Sequence, residues 1–371
     1  MCFTETPYYP KKNKMKILYI SHNLGSEKTG ASQVMARNMR SLKDIAGDGN
    51  VTTYYLPKAN LRSIVKSLIR LGSYGLTYGE EMRVVELVKK VRPDIIFIES
   101  SSVGTLYRRL KKLGIKTICF AHNLDTALYR QEISSRPKWI SVPKYLLIRY
   151  NERLAARYAD YLICLNERDS NGFETTFGRK ADVILPITFP ERDLSVVTSD
   201  KDFAKPYFLF VGSDFFPNVE GIRWFIENVA PKVKQEIHIV GGCCDNPAIK
   251  TLHLPENVKL LGYVENVDST YMNASGVIAP IFKGAGMKTK TIEALSWGKS
   301  FYGTSEALEG VDCDYSQLGA LCNTEHDFVQ AINSSHGLKI NSYTLKIFKE
   351  GFSDSSFADR LKSFFDKIFQ S

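Results

Sequence analysis

Three charged residues in the segment Gly284–Ser300, GAGMKTKTIEALSWGKS, have the types and spacing for anion chemistry. Lys288 and Lys290 follow two glycines and open a run of helical character, and Glu293 comes one turn later. Lysines at a helix N-terminus add to a dipole end that is already positive, so they repel the free N–H groups there unless an anion lies between. That helix end is itself a phosphate site. Lys290 and Glu293 are three residues apart and share a face, in the weaker order for a purely structural pair. A diphosphate held by Lys290 and the helix end, with Glu293 accepting from ribose hydroxyls, accounts for the pattern. The competing explanation is a solvated charged face. The helix is expected from near Met287 to near Gly298, after a buried strand Gly276–Pro280 and a loop over Lys283–Gly286 whose glycines let backbone approach a ligand closely.

A second candidate is His122, which closes the apolar run KTICFAHN at its carboxyl end. A lone histidine is more often a satisfied structural residue, yet this end of a parallel strand faces the expected cleft. Asn123 and Asp125 follow it and are either acceptor contacts or helix caps. Asp312-Cys313-Asp314 is formally a D-x-D triplet, read here as a solvated turn.

Parallel strands must position these groups. MKILYIS ends in a loop with Gly25 and Gly30 and leads to the amphipathic helix QVMARNMRSLKDIA, the opening unit of a doubly wound α/β fold. VTTYYL, PDIIFIES, KTICFAHN, ADYLICLN and ADVILPITFP read as further strands, β-branched and apolar enough to be buried on both faces. The pattern restarts with PYFLFVG, EIHIVGG, NVKLLGY, GVIAP and SFYGTS. The expected organisation is a polar extension over 1–14, a Rossmann-like domain over 15–190, a linker over 191–206, a second Rossmann-like domain over 207–350 and a C-terminal helix over 351–371 that packs back on the first domain. Ligands of such sheets bind outside the carboxyl ends of the strands, so the site is expected in the cleft between the two halves.

Charge is divided unevenly. Residues 1–190 carry 31 Lys and Arg against 17 Asp and Glu, whereas residues 191–371 carry 18 against 23. The basic half suits an anionic membrane surface or an anionic substrate. No nucleic-acid-binding signature accompanies the charge, so nucleic acid is not an expected partner. No run of about 18 apolar residues would span a bilayer, and the N-terminus lacks the apolar core of a signal peptide. The seven cysteines form no C-x-x-C pair and are expected to be reduced and mostly buried. G-x-G-x-x-G, the P-loop, G-x-S-x-G and H-E-x-x-H are absent, which argues against nicotinamide dehydrogenases, P-loop ATPases, α/β-hydrolases and zincins.

FVGSDFFPNVEGIRWFIENVAP, NVKLLGYVENVDSTYMNASGVIAPIFKGAGMKTKTIEALSWGKS and TSEALEG, in that order, resemble the nucleotide-sugar half of the family 4 glycosyltransferases of GT-B fold. SLIRLGSYGLTYGEEMRVVELVKKVRPDIIFIES and FAHNLDTALYRQE resemble the acceptor half, so the likeness runs through most of residues 15–312. The resemblance implies roles residue by residue. Glu293 matches the second glutamate of the E-x7-E element and would bind the ribose; the first glutamate is replaced by Ala285. The chain looks like the subset with a glycine-rich loop (Gly284, Ala285, Gly286, Met287) and a lysine three before the retained glutamate. Lys290 would then hold the diphosphate, with Lys288 a weaker candidate. His122 matches the histidine that contacts the donor sugar. Gly30 and Ala31 match the first-half loop facing donor phosphate and acceptor. Gly212, Ser213 and Asn218 stand where many members carry an Arg/Lys pair. Val264 and Glu265 match the backbone site for the base, and Glu309 and Gly310 a turn near the donor.

The expectation is therefore a two-domain glycosyltransferase, retaining, moving a sugar from a nucleoside-diphosphate sugar to a glycan or lipid-linked acceptor in surface polysaccharide or glycolipid synthesis. The nucleotide sugar is a substrate; no cofactor and no metal is implied. The alternatives are a nucleotide-sugar epimerase of the same fold and a degenerate nucleotide-sugar-binding partner protein, which Ala285 keeps open. KANLRSIVKSLIRLG (Lys58–Gly72) places Leu61, Ile64, Val65, Leu68 and Leu71 on one side and Arg62, Lys66 and Arg70 on another. It is either a core-packed helix or an element for an anionic membrane surface. The expected location is cytoplasmic, with peripheral attachment to the inner face of the cytoplasmic membrane through that helix.

Overall fold

The computed structural model describes residues 15–22, 30–133, 137–194, 206–335 and 340–370. The expected N-terminal extension, Gly25 and most of the expected linker lie outside these residues. The first sheet comprises β1 (Ile17–His22), β2 (Val51–Leu56), β3 (Ile95–Ile98), β4 (Lys116–Ala121), β5 (Tyr161–Cys164) and β6 (Val183–Ile184). The second comprises β7 (Tyr207–Val211), β8 (Glu236–Val240), β9 (Val258–Gly262), β10 (Gly276–Ala279), β11 (Phe301–Gly303) and β12 (Gly319–Leu321). Strand orders are β2-β1-β3-β4-β5-β6 and β12-β11-β10-β7-β8-β9, with the paired strands parallel. Ile95–Ile98 and Gly276–Ala279 are buried throughout, because helices cover both faces. Of the expected strand ADVILPITFP only Val183–Ile184 joins the first sheet; the prolines at 186 and 190 have no N–H to give to a ladder.

The direction of winding reverses beside β1 in one sheet and beside β7 in the other, and such switch points open the ligand crevices of α/β folds. In the first domain the covering helices are α1 (Gly30–Ala46), α2 (Leu61–Arg70), α3 (Tyr78–Val91), α4 (Gly104–Leu110), α5 (Asp125–Glu132), α6 (Lys138–Tyr158) and α7 (Glu167–Phe177). The second uses α8 (Phe216–Asn228), α9 (Pro247–Lys250), α10 (Val267–Asn273), α11 (Thr289–Ser296), α12 (Tyr315–Leu318) and α13 (Glu325–Ser334). The chain closes with α14 (Ser342–Gly351) and α15 (Asp354–Gln370).

As expected, the last helix returns to the first domain. Phe364 meets Tyr161 edge-on at 5.7 Å, and Lys116 Nζ donates to the Ile368 carbonyl at 3.0 Å. Phe189 and Ser353 form a parallel bridge that begins this crossing. Among the described residues no helix is long and apolar enough to cross a membrane. Cys119, Cys164, Cys243, Cys244 and Cys322 are buried free thiols and Cys313 is half-buried; Cys2 lies outside the described residues.

Candidate active site

The helix expected at Met287 begins two residues later, with Lys288 at its N-cap in an extended conformation, and ends at Ser296. Met287 is buried beneath Gly310, whose φ of 81° suits glycine and where a Cβ would lie 2.7 Å from Met287 Cγ. Lys288 does not wait for a ligand anion. Its Nζ lies 2.7 Å from Glu306 Oε1 and 2.7 Å from the Gly286 carbonyl oxygen, so a carboxylate of the protein already offsets its repulsion with the helix end. Burial lowers the Lys288 pKa, and Glu306 opposes the shift.

Lys290 differs. Its Nζ donates to Asn218 Oδ1 at 2.5 Å and lies 4.4 Å from the centroid of the Phe210 ring. No carboxylate pairs with it among the described residues. Burial, aided by Lys288, pushes its pKa down to about 7, with Cys243 acting in the opposite sense. Asn218 is oriented for this contact: its amide NH2 donates to the Ser213 carbonyl at 3.1 Å and to Ser213 Oγ at 3.2 Å, which turns its oxygen to the lysine. Gly212, just beyond β7, packs so closely on the Phe210 ring and Cys243 that a Cβ would lie 2.6 Å from Phe210 Cε1. Lys290 thus sits at the carboxyl end of β7, at the switch point of the second sheet.

Glu293 faces other partners than Lys290. Tyr271 donates to its Oε2 at 3.3 Å, and Arg192 Nη2 lies 3.9 Å from its Oε1. Arg192, from the expected linker, also reaches Asp268 at 3.4 Å and lies over the Trp297 ring. Burial raises the Glu293 pKa, while Arg192 and Tyr271 hold it down.

In the first domain His122 Nε2 lies 2.7 Å from Glu99 Oε2. Glu99 is buried just beyond β3 and also accepts from Tyr19 OH at 2.9 Å and Asn38 Nδ2 at 2.6 Å. The histidine is therefore both a satisfied side chain and one held in a fixed orientation at the carboxyl end of β4. The capping role considered for Asp125 belongs instead to Glu152 of α6. Its buried carboxylate accepts the Asp125 and Thr126 N–H groups at 2.8 Å each and Ser101 Oγ at 2.9 Å. The Asp125 carboxyl is raised well above the usual carboxylate range by burial, then by Glu152 and Asp169.

The glycine loop joins the two halves. A Cβ on Gly286, whose φ is 63°, would collide with Asn123 Oδ1 and lie 3.2 Å from the His122 carbonyl oxygen. Gln131 of α5 brackets Gly284, donating to its carbonyl at 3.0 Å and accepting its N–H at 3.3 Å. Arg168 of α7 reaches Glu306 at 2.7 Å, Glu309 at 3.4 Å and the Gly286 carbonyl at 3.4 Å. His122, Asn123, Gly284, Gly286, Lys288 and Glu309 are thereby brought together, with half-buried Ala285 between the two glycines. Val264 is half-buried against the apolar core and Glu265 is exposed, just beyond edge strand β9, two strands away from β7. Gly30 opens α1; the Ala31 side chain lies outside what is described.

Sequence reasoning missed Glu99, Arg168, Glu306 and Gln131. Glu99 had a signal, an acid closing the apolar run IIFI, and Glu306 lies inside the TSEALEG segment. Gln131 lies inside the FAHNLDTALYRQE segment, whereas Arg168 sits on an ordinary helix and carried none. Among the described residues no group of His, Cys, Asp and Glu is arranged to hold a metal ion. Asp314 of the D-x-D triplet caps α12 through the Ser316 N–H.

Residues 205–335 match the family model described as "Glycosyl transferases group 1". An uncharacterized 44.6 kDa protein in the cps region of Klebsiella pneumoniae is 22% identical over 306 residues, covering 75% of this chain and 74% of that protein. Among solved structures, the lipopolysaccharide outer core galactosyltransferase WaaB superposes with a TM-score of 0.65 at 14% identity, over 95% of this chain and 100% of that one. HepE of Anabaena, in complex with UDP-glucose, gives 0.67 at 14% identity over 95% and 100%. Sucrose-phosphate synthase from Thermosynechococcus elongatus gives 0.66 at 12% identity over 96% and 99%. The shared architecture is the GT-B fold.

Proposed function

We propose that this GT-B-fold chain, whose second domain carries the group 1 glycosyltransferase match, transfers a sugar from a nucleoside-diphosphate sugar to a glycan or lipid-linked acceptor, with retention. The observation that carries the proposal is Lys290: a half-buried ammonium with no carboxylate partner among the described residues, at the switch point of the second sheet. HepE, of the same fold, holds UDP-glucose, and a nucleotide sugar offers the diphosphate that such a cation would receive. As the bond from anomeric carbon to diphosphate oxygen breaks, charge builds on the leaving group and Lys290 stabilises it in a site of low polarity. Glu293 accepts from the ribose, and His122, held by Glu99, orients the sugar. The acceptor enters from the first domain beside Asn123 and Asp125, and Lys58–Gly72 sets the enzyme on an anionic membrane surface.

The test is equilibrium binding of UDP-, GDP- and ADP-sugars followed by a product assay. Lys290→Ala should weaken nucleoside-diphosphate binding tenfold or more, on the order of 1–3 kcal/mol for a charge-assisted contact. Unchanged affinity would remove the diphosphate assignment. Turnover of the donor without any acceptor would favour an epimerase, and binding without turnover a partner protein, the outcome that Ala285 in place of a glutamate would then explain.

A further inference from the structure

The burial pattern of α2 is the reverse of that of a core-packed helix. Ser63 and Ser67 face inward, whereas Leu61 is 79% exposed, Val65 44% and Ile69 77%. The inward face works because it is small and satisfied: Ser67 Oγ donates to the Ser63 and Leu76 carbonyls at 2.8 and 3.0 Å, and Ser63 forms a capping box with Asn60. Leu61, Val65 and Ile69 make one exposed stripe at four-residue spacing, and Arg62, Lys66 and Arg70 make a second beside it. Residues 58–72 contain no acidic residue.

Below the C-terminal half of α2 lies a cavity of about 380 Å³, closed on its other sides by the start of α3 and by α4. Lys66, Arg70, Arg108 and Arg109 line it, with Glu81 as the opposing carboxylate. Glu81 is taken by Arg109 at 2.7 Å and by Thr105, so Lys66, Arg70 and Arg108 face the cavity without an ion-pair partner among the described residues. The exposed Tyr78 ring stands at its mouth, stacked under Arg109.

We propose that this cavity binds the phosphate of an anionic phospholipid while the Leu61–Val65–Ile69 stripe enters the acyl region of the same leaflet. The inference rests on the membrane-surface role given above to Lys58–Gly72 and adds a headgroup site to it. Charge complementarity selects a lipid surface over a protein partner: the centre of a protein interface is depleted of charge, whereas here an apolar stripe runs alongside cations of a single sign. Position agrees. α2 leaves the carboxyl end of β2, and the Tyr74 N–H donates to Ser102, just beyond the carboxyl end of β3, at 3.1 Å, so the surface adjoins the rim of the cleft.

Flotation of the full chain with mixed phosphatidylcholine–phosphatidylglycerol vesicles, against pure phosphatidylcholine, tests this. The wild type should bind the anionic vesicles at least about tenfold more strongly, and less so at high salt. Leu61→Ser with Ile69→Ser should lower binding to both. Arg70→Glu with Arg108→Glu should remove the anionic preference, while nucleoside-diphosphate affinity and the circular dichroism spectrum stay those of the wild type. An undiminished preference in the Arg70/Arg108 variant overturns the headgroup site, and absence of binding to any vesicle overturns the surface role beneath it. Binding of inorganic phosphate that is lost in the Arg70/Arg108 variant, without any preference for anionic vesicles, would also overturn the proposal, by making the cavity a site for free phosphate.

Discussion

The Lys290 ammonium lies against one aromatic ring and one amide oxygen, and its burial, with Lys288 nearby, lowers its proton affinity. Its pKa in the fold, about 7, is below the ordinary 10.5. Burying the charge therefore costs stability in full below pH 7, and the cost disappears as pH rises towards 10.5, where the unfolded chain also loses its proton. Binding has the opposite sense, because a diphosphate favours the charged form. At about pH 8, binding of a nucleoside diphosphate should take up nearly one proton, and at about pH 6 almost none. Titration calorimetry in buffers of different ionisation enthalpy reads this directly, and Lys290→Met should lose it. Equal uptake in wild type and variant would place the proton elsewhere. Lys288, its neighbour by two positions, has Glu306 as an internal counterion. The resemblance ranked Lys290 above Lys288, but local sequence could not show that Glu306, 18 residues on, is the counterion of Lys288.

At the scale of elements, the glycine loop before α11 is a contact between halves as much as a ligand loop. Gly286 combines a positive φ with an approach to Asn123 that leaves no room for a Cβ. Gly286→Ala should wedge the loop away from α5. Turnover should fall by roughly ten- to hundredfold because the reacting groups lose alignment. Nucleoside-diphosphate affinity should fall less than turnover, since Lys290 and Asn218, which hold the diphosphate in the proposal, do not contact Gly286. Asn123→Gly in the same chain should restore part of the rate by freeing the space. If the double variant is no faster than Gly286→Ala alone, backbone strain is the cause. The same scale explains α2: its apolar periodicity is plain in the sequence, but periodicity has no sign, and only the neighbours Leu76 and α6 decided that the serines point inward.

Across the whole molecule, Arg37 is the residue through which α1, the end of the first domain and the last helix meet. Its guanidinium is buried, donates to the Pro186 carbonyl at 2.8 Å and to Thr188 Oγ1 at 3.0 Å, and lies 3.6 Å from the centroid of the Phe357 ring. Thr188 in turn donates to Asp354 at 2.7 Å. Burial pushes the arginine down to about 10, with Glu99 and Asp354 opposing. Arg37→Ala should lower unfolding stability by about 3 kcal/mol, because the buried Pro186 carbonyl loses its donor and the Phe357 ring its covering guanidinium, while Thr188 keeps only Asp354. Urea unfolding followed by tryptophan fluorescence measures it. A loss below about 1 kcal/mol would mean that the other contacts of α15, its phenylalanines and the ties of Asp354 and Ile368, hold it without Arg37.

The sequence by itself determined the elements whose signals are local: two series of apolar parallel strands, a glycine loop before a lysine-rich helix start, a histidine at a strand end and a terminal amphipathic helix. These depend on periodicity and turn chemistry over a few residues, and His122, Lys290 and Glu293 stand on the elements expected of them. The tertiary structure decided the partners. That Glu306 offsets Lys288, that Glu99 holds His122, that Glu152 rather than Asp125 caps α5, and that Leu61, Val65 and Ile69 of α2 turn outward while Ile64 and Leu68 are half-buried all follow from contacts between separate segments. Charge pairing and burial are set by distance in space, which local sequence pattern does not encode.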